Sequence, residues 1–225
     1  MLENLLAYER DIFLSLNGCH TPFFDNFFWL YSGKIIWLPL AIVILICLIN
    51  KRNWRETVLV LLSIFLVILL CDQFASHICK PLFTRFRPTH HPDFMDKVKI
   101  VYNYRGGMYG FISSHAANAF GFATFMYLLL RNKWLSFSLF LWAVVNSYSR
   151  IYLGVHFISD IVPGALSGIL WGFLVYYLFI RVTSHLKLPI SYDKKRIYWI
   201  VAVFWLTHLF LILISAYKTY TYIYT

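Results

Sequence analysis

Residues 149–172 read S-R-I-Y-L-G-V-H-F-I-S-D-I-V-P-G-A-L-S-G-I-L-W-G. The chain is apolar before this stretch, over 134–150, and apolar after it, to about residue 181. Two apolar runs of helical length joined by a short turn describe a helical hairpin in a bilayer, where backbone groups must be satisfied within the segment. The turn itself is polar at chosen points, with Ser149, Arg150, His156 and Asp160. Asp160 lies just inside the second run, where a carboxylate is costly and has a partner or a task. His156 precedes it by four residues. On a helix, positions i and i+4 share a face, so Asp160 accepts a hydrogen bond from one ring nitrogen and leaves the other free. That makes a nucleophile or base of the histidine, with Arg150 close enough to hold an anion. The simpler explanation is an arginine in the headgroup zone beside a His–Asp pair that satisfies only itself.

The rest of the chain agrees with a membrane domain. Of 225 residues, 60% are hydrophobic, 20% aromatic and 13% charged, against about 25% charged in soluble domains. The fold class is therefore all-α: an integral membrane helix bundle forming a single domain over residues 1–225. About six transmembrane helices are expected, at roughly 35–50, 57–78, 108–130, 134–150, 157–181 and 197–217. The first run extends back through the aromatic stretch Phe23–Tyr31. Residues 1–33 form an N-terminal interfacial segment. In it, apolar residues at 5, 6, 12, 13 and 16 flank Glu9-Arg10-Asp11, the pattern of an amphipathic helix lying in the interface. The N-terminus lacks the basic start and clean apolar core of a cleavable signal peptide. Four cysteines, Cys19, Cys47, Cys71 and Cys79, form no C-x-x-C pair and no metal spacing. No motif sets an oligomeric state.

The formal net charge is +10. No basic stripe with interleaved aromatics stands clear of the apolar runs, which argues against nucleic acid as a partner and leaves the bilayer and its lipids. Lysine and arginine instead gather in loops 51–56, 131–133 and 181–196, which alternate with the others and fit the cytoplasmic side. Loop 79–107 and the 150–157 turn then lie outside. Loop 79–107 is also basic, with Lys80, Arg85, Arg87, Lys97, Lys99 and Arg105. A site for an anion accounts for part of that charge.

Two further segments carry chemistry. Lys80-Pro-Leu-Phe-Thr-Arg85-Phe-Arg87-Pro88 places three cations within eight residues, with prolines at 81 and 88 that shape the chain. A phosphate dianion needs several fixed donors, and arginine offers a bidentate fork. A basic segment that binds anionic headgroups is the simpler explanation. Phe111-Ile-Ser113-Ser114-His115-Ala-Ala-Asn118 opens the third apolar helix. A helix N-terminus presents free N–H groups and binds phosphate, Ser113 and Ser114 add hydroxyls, and His115 stands in the first turn. An ordinary serine cap beside an interfacial histidine is the alternative. The three segments occur in order, each at the outer end of an apolar run, and together they describe a site for breaking a phosphate ester.

The pattern K-x6-R-P, then S-x-H, then S-R-x5-H-x3-D resembles the three-part signature of the type-2 phosphatidic-acid phosphatase superfamily. Lys80, Arg87 and Pro88 fit the first part, and Ser149, Arg150, His156 and Asp160 fit the third. In the second part Ser113 and His115 keep their places, while Ile112 and Ser114 replace the usual proline and glycine. The N-terminal E-R-D-I-F-L-S-L-N-G run is similar to bacterial members acting on undecaprenyl diphosphate or lipid A. The resemblance implies a bacterial inner-membrane phosphatase, with its site facing the periplasm and a membrane lipid phosphate as substrate: lipid A, undecaprenyl diphosphate or a phosphatidyl phosphate. It implies His156 as nucleophile, Asp160 as its partner and His115 as acid and base. Lys80, Arg87, Ser113, Ser114 and Arg150 bind the phosphate, and no cofactor or metal is implied. Arg85 and Arg105 are candidate headgroup residues. The adjacent His90 and His91 point apart on regular structure and lack a third metal ligand, and Asp72 is expected to pair with a loop cation. The nucleophile implies a phosphohistidine intermediate, and a phosphotransferase using that intermediate and a non-enzymatic transporter or scaffold remain as alternatives.

Overall fold

Thr21 and Asn53 show how this chain starts its helices: each side chain accepts a backbone N–H from the turn that follows it, as N-cap residues do. The computed structural model describes residues 2–49, 53–188 and 194–224. Helix α1 spans Leu2–Asn17 and α2 spans Pro22–Ser32. A 3-10 turn over Ile35–Trp37 leads into α3, Leu38–Ile49, and the chain bends by 68° between α2 and this segment. Helix α4, Trp54–Gln73, passes into a π-helical stretch, Phe74–Cys79, and then α5, Lys80–Phe83. After a long loop come α6, Ser114–Leu130, and α7, Lys133–Tyr152. Helices α8, Ile158–His185, and α9, Lys194–Tyr224, complete the chain. Among the described residues there is no strand, only one isolated bridge between Phe86 and Tyr109.

The protein is an all-α, multi-pass membrane protein. Three helical segments are long and apolar enough to cross a bilayer, Trp54–Phe83, Ile158–His185 and Lys195–Ile223, and the bent α2–α3 pair adds a fourth if it counts as one span. Their outward faces expose large apolar side chains such as Leu62, Phe65, Leu166, Leu170, Leu206 and Leu213, as suits hydrocarbon contact. Helix α6 has 17 residues, about 25 Å of rise, and sits at the centre with Ala116, Ala117, Ala123, Phe125 and Met126 fully buried.

Two boundaries differ from the sequence expectation. The helix expected over 108–130 begins only at Ser114. Residues before it run back beside the 85–87 segment: Arg87 N–H donates to the Met108 carbonyl at 3.0 Å and Gly110 N–H to the Arg85 carbonyl at 2.9 Å. The apolar stretch 108–112 is drawn into this return rather than into helix, with Gly110 and Ile112 buried there and Met108 exposed. Lys80, expected in a loop, stands on a helix that continues to Phe83. The wide π turn before it removes the need for the N–H that Pro81 lacks, and the helix stops at Thr84, whose φ of 44° is left-handed.

The seam between α6 and α8 positions the site. Gly164, Gly168 and Gly172 lie one turn apart on α8 and face Ser113, Ala117 and Gly121. A Cβ on Gly168 would come within 2.2 Å of the Ala117 carbonyl oxygen, and one on Gly164 within 2.6 Å of the Ser113 carbonyl oxygen. Small residues four apart let two helix backbones touch, the packing mode favoured where lipid removes the hydrophobic drive. At the outer end of the seam, Ser113 N–H donates to the Asp160 carbonyl at 2.9 Å. The starts of α6 and α8 are thereby tied together.

Candidate active site

The turn from α7 to α8 is held by backbone bonds of its own. Leu153 and Gly154 N–H groups close on Ser149 and Ile151, and Val155 N–H reaches the Arg150 carbonyl at 3.0 Å. Gly154 has φ 76°, and a Cβ there would meet Val98 Cγ1 at 2.7 Å, so the turn needs glycine at this point. The Asn17 side chain at the end of α1 donates to the Tyr152 carbonyl at 2.8 Å and accepts Lys99 N–H at 2.8 Å, clamping the turn to the outer loop.

His156 sits at the end of this turn, outside α8, and is completely buried. Its Nδ1 lies 3.3 Å from Oδ2 of Asp160. The same oxygen accepts Phe157 N–H at 2.9 Å, so a carboxylate in the first turn reaches back to the helix start. The pairing thus arises from capping geometry rather than from two residues on one helical face. With Nδ1–H donated to Asp160, Nε2 carries the lone pair, and Nη1 of Arg87 lies 3.3 Å from it.

Cations surround that nitrogen. Arg87 is buried, with Nε donating to the Tyr109 carbonyl at 3.0 Å and Nη1 to the Val155 carbonyl at 3.3 Å. Arg150 is 2% exposed. Its Nη2 donates to the Tyr104 hydroxyl at 2.8 Å and its guanidinium lies 5.4 Å from that ring's centroid, while its buried Nε has no partner. Lys80 Nζ donates to Ser76 Oγ at 3.1 Å, one turn back, and Ser76 Oγ reaches toward Asp72 at 3.5 Å. Lys80 is within electrostatic reach of Arg87, Arg150 and Asp160. Burial foremost, then the charge of Arg150, lowers the Arg87 pKa from its ordinary value. A cluster of desolvated like charges with an unpartnered N–H is a site that gains from an anion.

Ser113 caps α6, its hydroxyl oxygen accepting Ala116 N–H at 3.4 Å. His115 follows in the first turn, with Arg150, His156, Arg87 and Lys80 all acting on it electrostatically. Ser114 and His115 also line a cavity of about 630 Å³ between α3, α4, α6 and α7. Its walls are largely apolar, with Leu40, Ile44 and Leu48 from α3 and Leu61, Ile64 and Ile68 from α4, and Asp72, Asn118 and Asn146 are among its polar lining residues.

The structure therefore brings together Lys80, Arg87, Ser113, His115, Arg150, His156 and Asp160, with Ser114 on the cavity side. Of the two residues read as headgroup candidates, Arg85 is held within the protein and Arg105 stays at the surface. Arg85 Nη1 donates to Asp160 Oδ1 at 3.0 Å and its Nη2 to Glu9 Oε2 at 2.8 Å. Arg105, exposed, donates to the Thr89 carbonyl at 3.0 Å. His90 meets the Gly106 carbonyl and His91 meets Arg10, so the two rings serve different partners. Among the described residues, no group of three or more His, Cys, Asp or Glu gathers to hold a metal. Sequence reading missed Tyr104, Asn17 and Glu9, none of which stands in a spacing that announces its contact.

Known proteins resemble this chain in sequence and in fold. The chain is 45% identical to a lipid A 4'-phosphatase of Porphyromonas gingivalis over 81% of its length and 78% of the relative. It is 39% identical to a lipid A 4'-phosphatase of Bacteroides thetaiotaomicron over 83% of its length and 84% of the relative. The crystal structure of Aquifex aeolicus LpxE superposes with a TM-score of 0.56 at 26% identity, covering 74% of this chain and 93% of that one. The profile of the PAP2 superfamily matches residues 58–184, from early in α4 to the end of α8. The span takes in the seam, the outer loop and every residue of the cationic cluster, and the chain belongs to the PAP2 superfamily.

Proposed function

We propose that this protein is a phosphatase that removes a phosphate from a membrane lipid through a phosphohistidine on His156. Lipid A is the first substrate to test, since the relatives at 45% and 39% identity are lipid A 4'-phosphatases. Undecaprenyl diphosphate and phosphatidyl phosphates come next. The supporting observation is a buried His–Asp pair whose free Nε2 faces Arg87 in a cationic cluster, beside a cavity with apolar walls.

Nε2 of His156 attacks phosphorus in line, forming the P–N bond as the P–O bond to the lipid breaks. His115 protonates the departing oxygen. Asp160 holds the imidazole tautomer and stabilises the imidazolium that forms. His115 then takes a proton from water, whose oxygen attacks phosphorus, releases phosphate and returns the pair of electrons to Nε2. Lys80, Arg87, Arg150, Ser113, Ser114 and the start of α6 hold the non-bridging oxygens, where charge must be stabilised during transfer. The apolar cavity takes acyl chain, and exposed Arg105 is the cation left to meet a headgroup.

The architecture extends the same reading. Six spans, α3 with α2, α4 with α5, and α6 to α9, cross the bacterial inner membrane as one domain, with α1 at the interface. Basic residues Arg55, Arg131, Lys133, Arg181, Lys187, Lys195 and Arg196 fall at the helix ends away from the cluster, and the positive-inside rule supports a periplasmic face for it.

The test is phosphate release by detergent-purified protein in EDTA, on lipid A, undecaprenyl diphosphate, phosphatidylglycerol phosphate and phosphatidic acid. Release should persist in chelator and fall by about a thousandfold or more in His156→Ala, as loss of a nucleophile does. Residual release above roughly a tenth of wild type would remove His156 from the nucleophile's role.

A further inference from the structure

Both carboxylate oxygens of Asp160 are engaged within the protein. One oxygen serves His156 and the Phe157 N–H, and the other accepts Arg85. Arg85 is a long side chain whose guanidinium has two claimants in a phosphatase: the carboxylate of Asp160 and an arriving phosphate, which carries more charge. Something must keep it on the carboxylate. That residue comes from α1, which lies 76 positions earlier in the chain. Glu9 accepts Arg85 Nη2 on Oε2 at 2.8 Å, and its Oε1 accepts Ser159 N–H at 2.9 Å. Ser159 is the residue before Asp160, and its N–H is one of the groups a helix start leaves unsatisfied. A single carboxylate therefore grips both the guanidinium and the backbone that carries Asp160. The Arg85 guanidinium also lies 4.8 Å from the Phe157 ring centroid, which leaves it little freedom. Helix α1 is fixed independently: Phe13 is fully buried against Phe94 and Phe157, and Asn17 clamps the turn.

We infer that Glu9 is a positioning residue: from α1 it locks Arg85 against Asp160, so the docked N-terminal helix completes the active site. The inference rests on the phosphatase reading above. Arg85 is then a fixed part of the His156–Asp160 assembly and not a substrate contact.

The test compares Glu9→Gln, Arg85→Lys, the double variant and Arg10→Gln in full-length detergent-purified protein, with His156→Ala alongside. Substrate is the lipid hydrolysed fastest by wild type, and thermal midpoints are recorded. Arg85→Lys keeps the charge but loses the planar fork that spans two carboxylates. Misalignment at a site without loss of substrate contacts predicts a fall in kcat of about ten- to a hundredfold with KM within about threefold, in both single variants. The double variant should be no slower than the slower single one, because the two side chains act as a unit. Arg10→Gln cuts the neighbouring α1 contact to His91 and should stay within about threefold of wild type. Additive losses, a raised KM with kcat intact, or an equal loss in Arg10→Gln would each overturn the inference. If His156→Ala keeps its activity, the phosphatase mechanism fails and this inference with it. If His156→Ala is inactive and Glu9→Gln is as fast as wild type, only the role of Glu9 fails.

Discussion

Between α6 and α8 the backbones come so close that a methyl group on Gly168 would sit 2.2 Å from the Ala117 carbonyl oxygen. Between α3 and α4, leucines and isoleucines face a cavity of about 630 Å³. Both regions border the same site, at Ser113 on one side and at Ser114 and His115 on the other. The difference follows from the solvent. Inside a bilayer, an apolar side chain gains nothing by leaving lipid, so tight association comes from close backbone approach and dispersion. The seam has the small residues for that and becomes the rigid side, fixing Asp160 against Ser113. The α3–α4 side has large branched residues and stays open, which suits an acyl chain entering beside the proposed phosphate site.

The seam gives the largest expected effect. Gly168→Ala forces a backbone carbonyl to move, an overpacking that costs about 3 kcal/mol or more. In detergent, its thermal midpoint should drop well below wild type and phosphate release should fall with it. A Gly168→Ala protein as stable as wild type would show that the close approach contributes nothing. Gly164→Ala presses on Ser113 instead. It should reduce kcat by roughly tenfold beyond its effect on stability, because small displacements at a reacting centre are expensive.

The open side predicts a smaller change of another kind. Ile64 lines the cavity, and Ile64→Trp narrows it. Each methylene of acyl chain kept from burial forfeits about 0.8 kcal/mol, so losing two raises KM for a long-chain lipid by about tenfold. A water-soluble phosphate monoester should be hydrolysed as before. Equal effects on both substrates would place the acyl chain elsewhere.

The two regions also differ in how far the sequence discloses them. The K-x6-R-P, S-x-H and S-R-x5-H-x3-D spacings name residues that the fold does gather, because each motif sits at a helix end and helix ends meet at one bilayer face. The seam was present in the stretch G-A-L-S-G-I-L-W-G over 164–172, where glycines recur every four residues, a readable signature of helix contact. Other features left no such mark. The return carries an apolar run from Met108 to Ile112 with only Gly110 and Ile112 buried, and hydropathy alone merged residues 108–113 with α6. Glu9 reads as the polar face of an amphipathic helix, and only its contacts with Arg85 and Ser159 distinguish it. The cavity is lined at one end by residues 31–34 and 37, where the chain bends by 68°, a bend that no local sequence rule specifies.

The smallest effect separates the two regions by pH. His156 lies in the turn between α7 and α8 and is fully buried. Burial first, then the charges of Arg87, Arg150, Lys80 and Arg85, holds its imidazole pKa well below the ordinary histidine value. Its neutral form, the one a nucleophile needs, is therefore the form the fold favours. In the unfolded chain an unperturbed histidine takes up a proton near pH 6.5, which the folded protein resists. This group's contribution to stability is full above pH 6.5 and is lost as pH falls toward the folded value, by up to about 1.4 kcal/mol per pH unit. His156→Gln cannot titrate, so wild type should lose more of its thermal midpoint than this variant between pH 7 and pH 5. The Gly168→Ala deficit, in contrast, comes from atoms that carry no proton in this range and should be the same at both pH values. Parallel pH profiles for wild type and His156→Gln would mean that His156 takes up a proton as readily in the folded protein as in the unfolded chain, and burial beside the cationic cluster would not be what keeps it neutral.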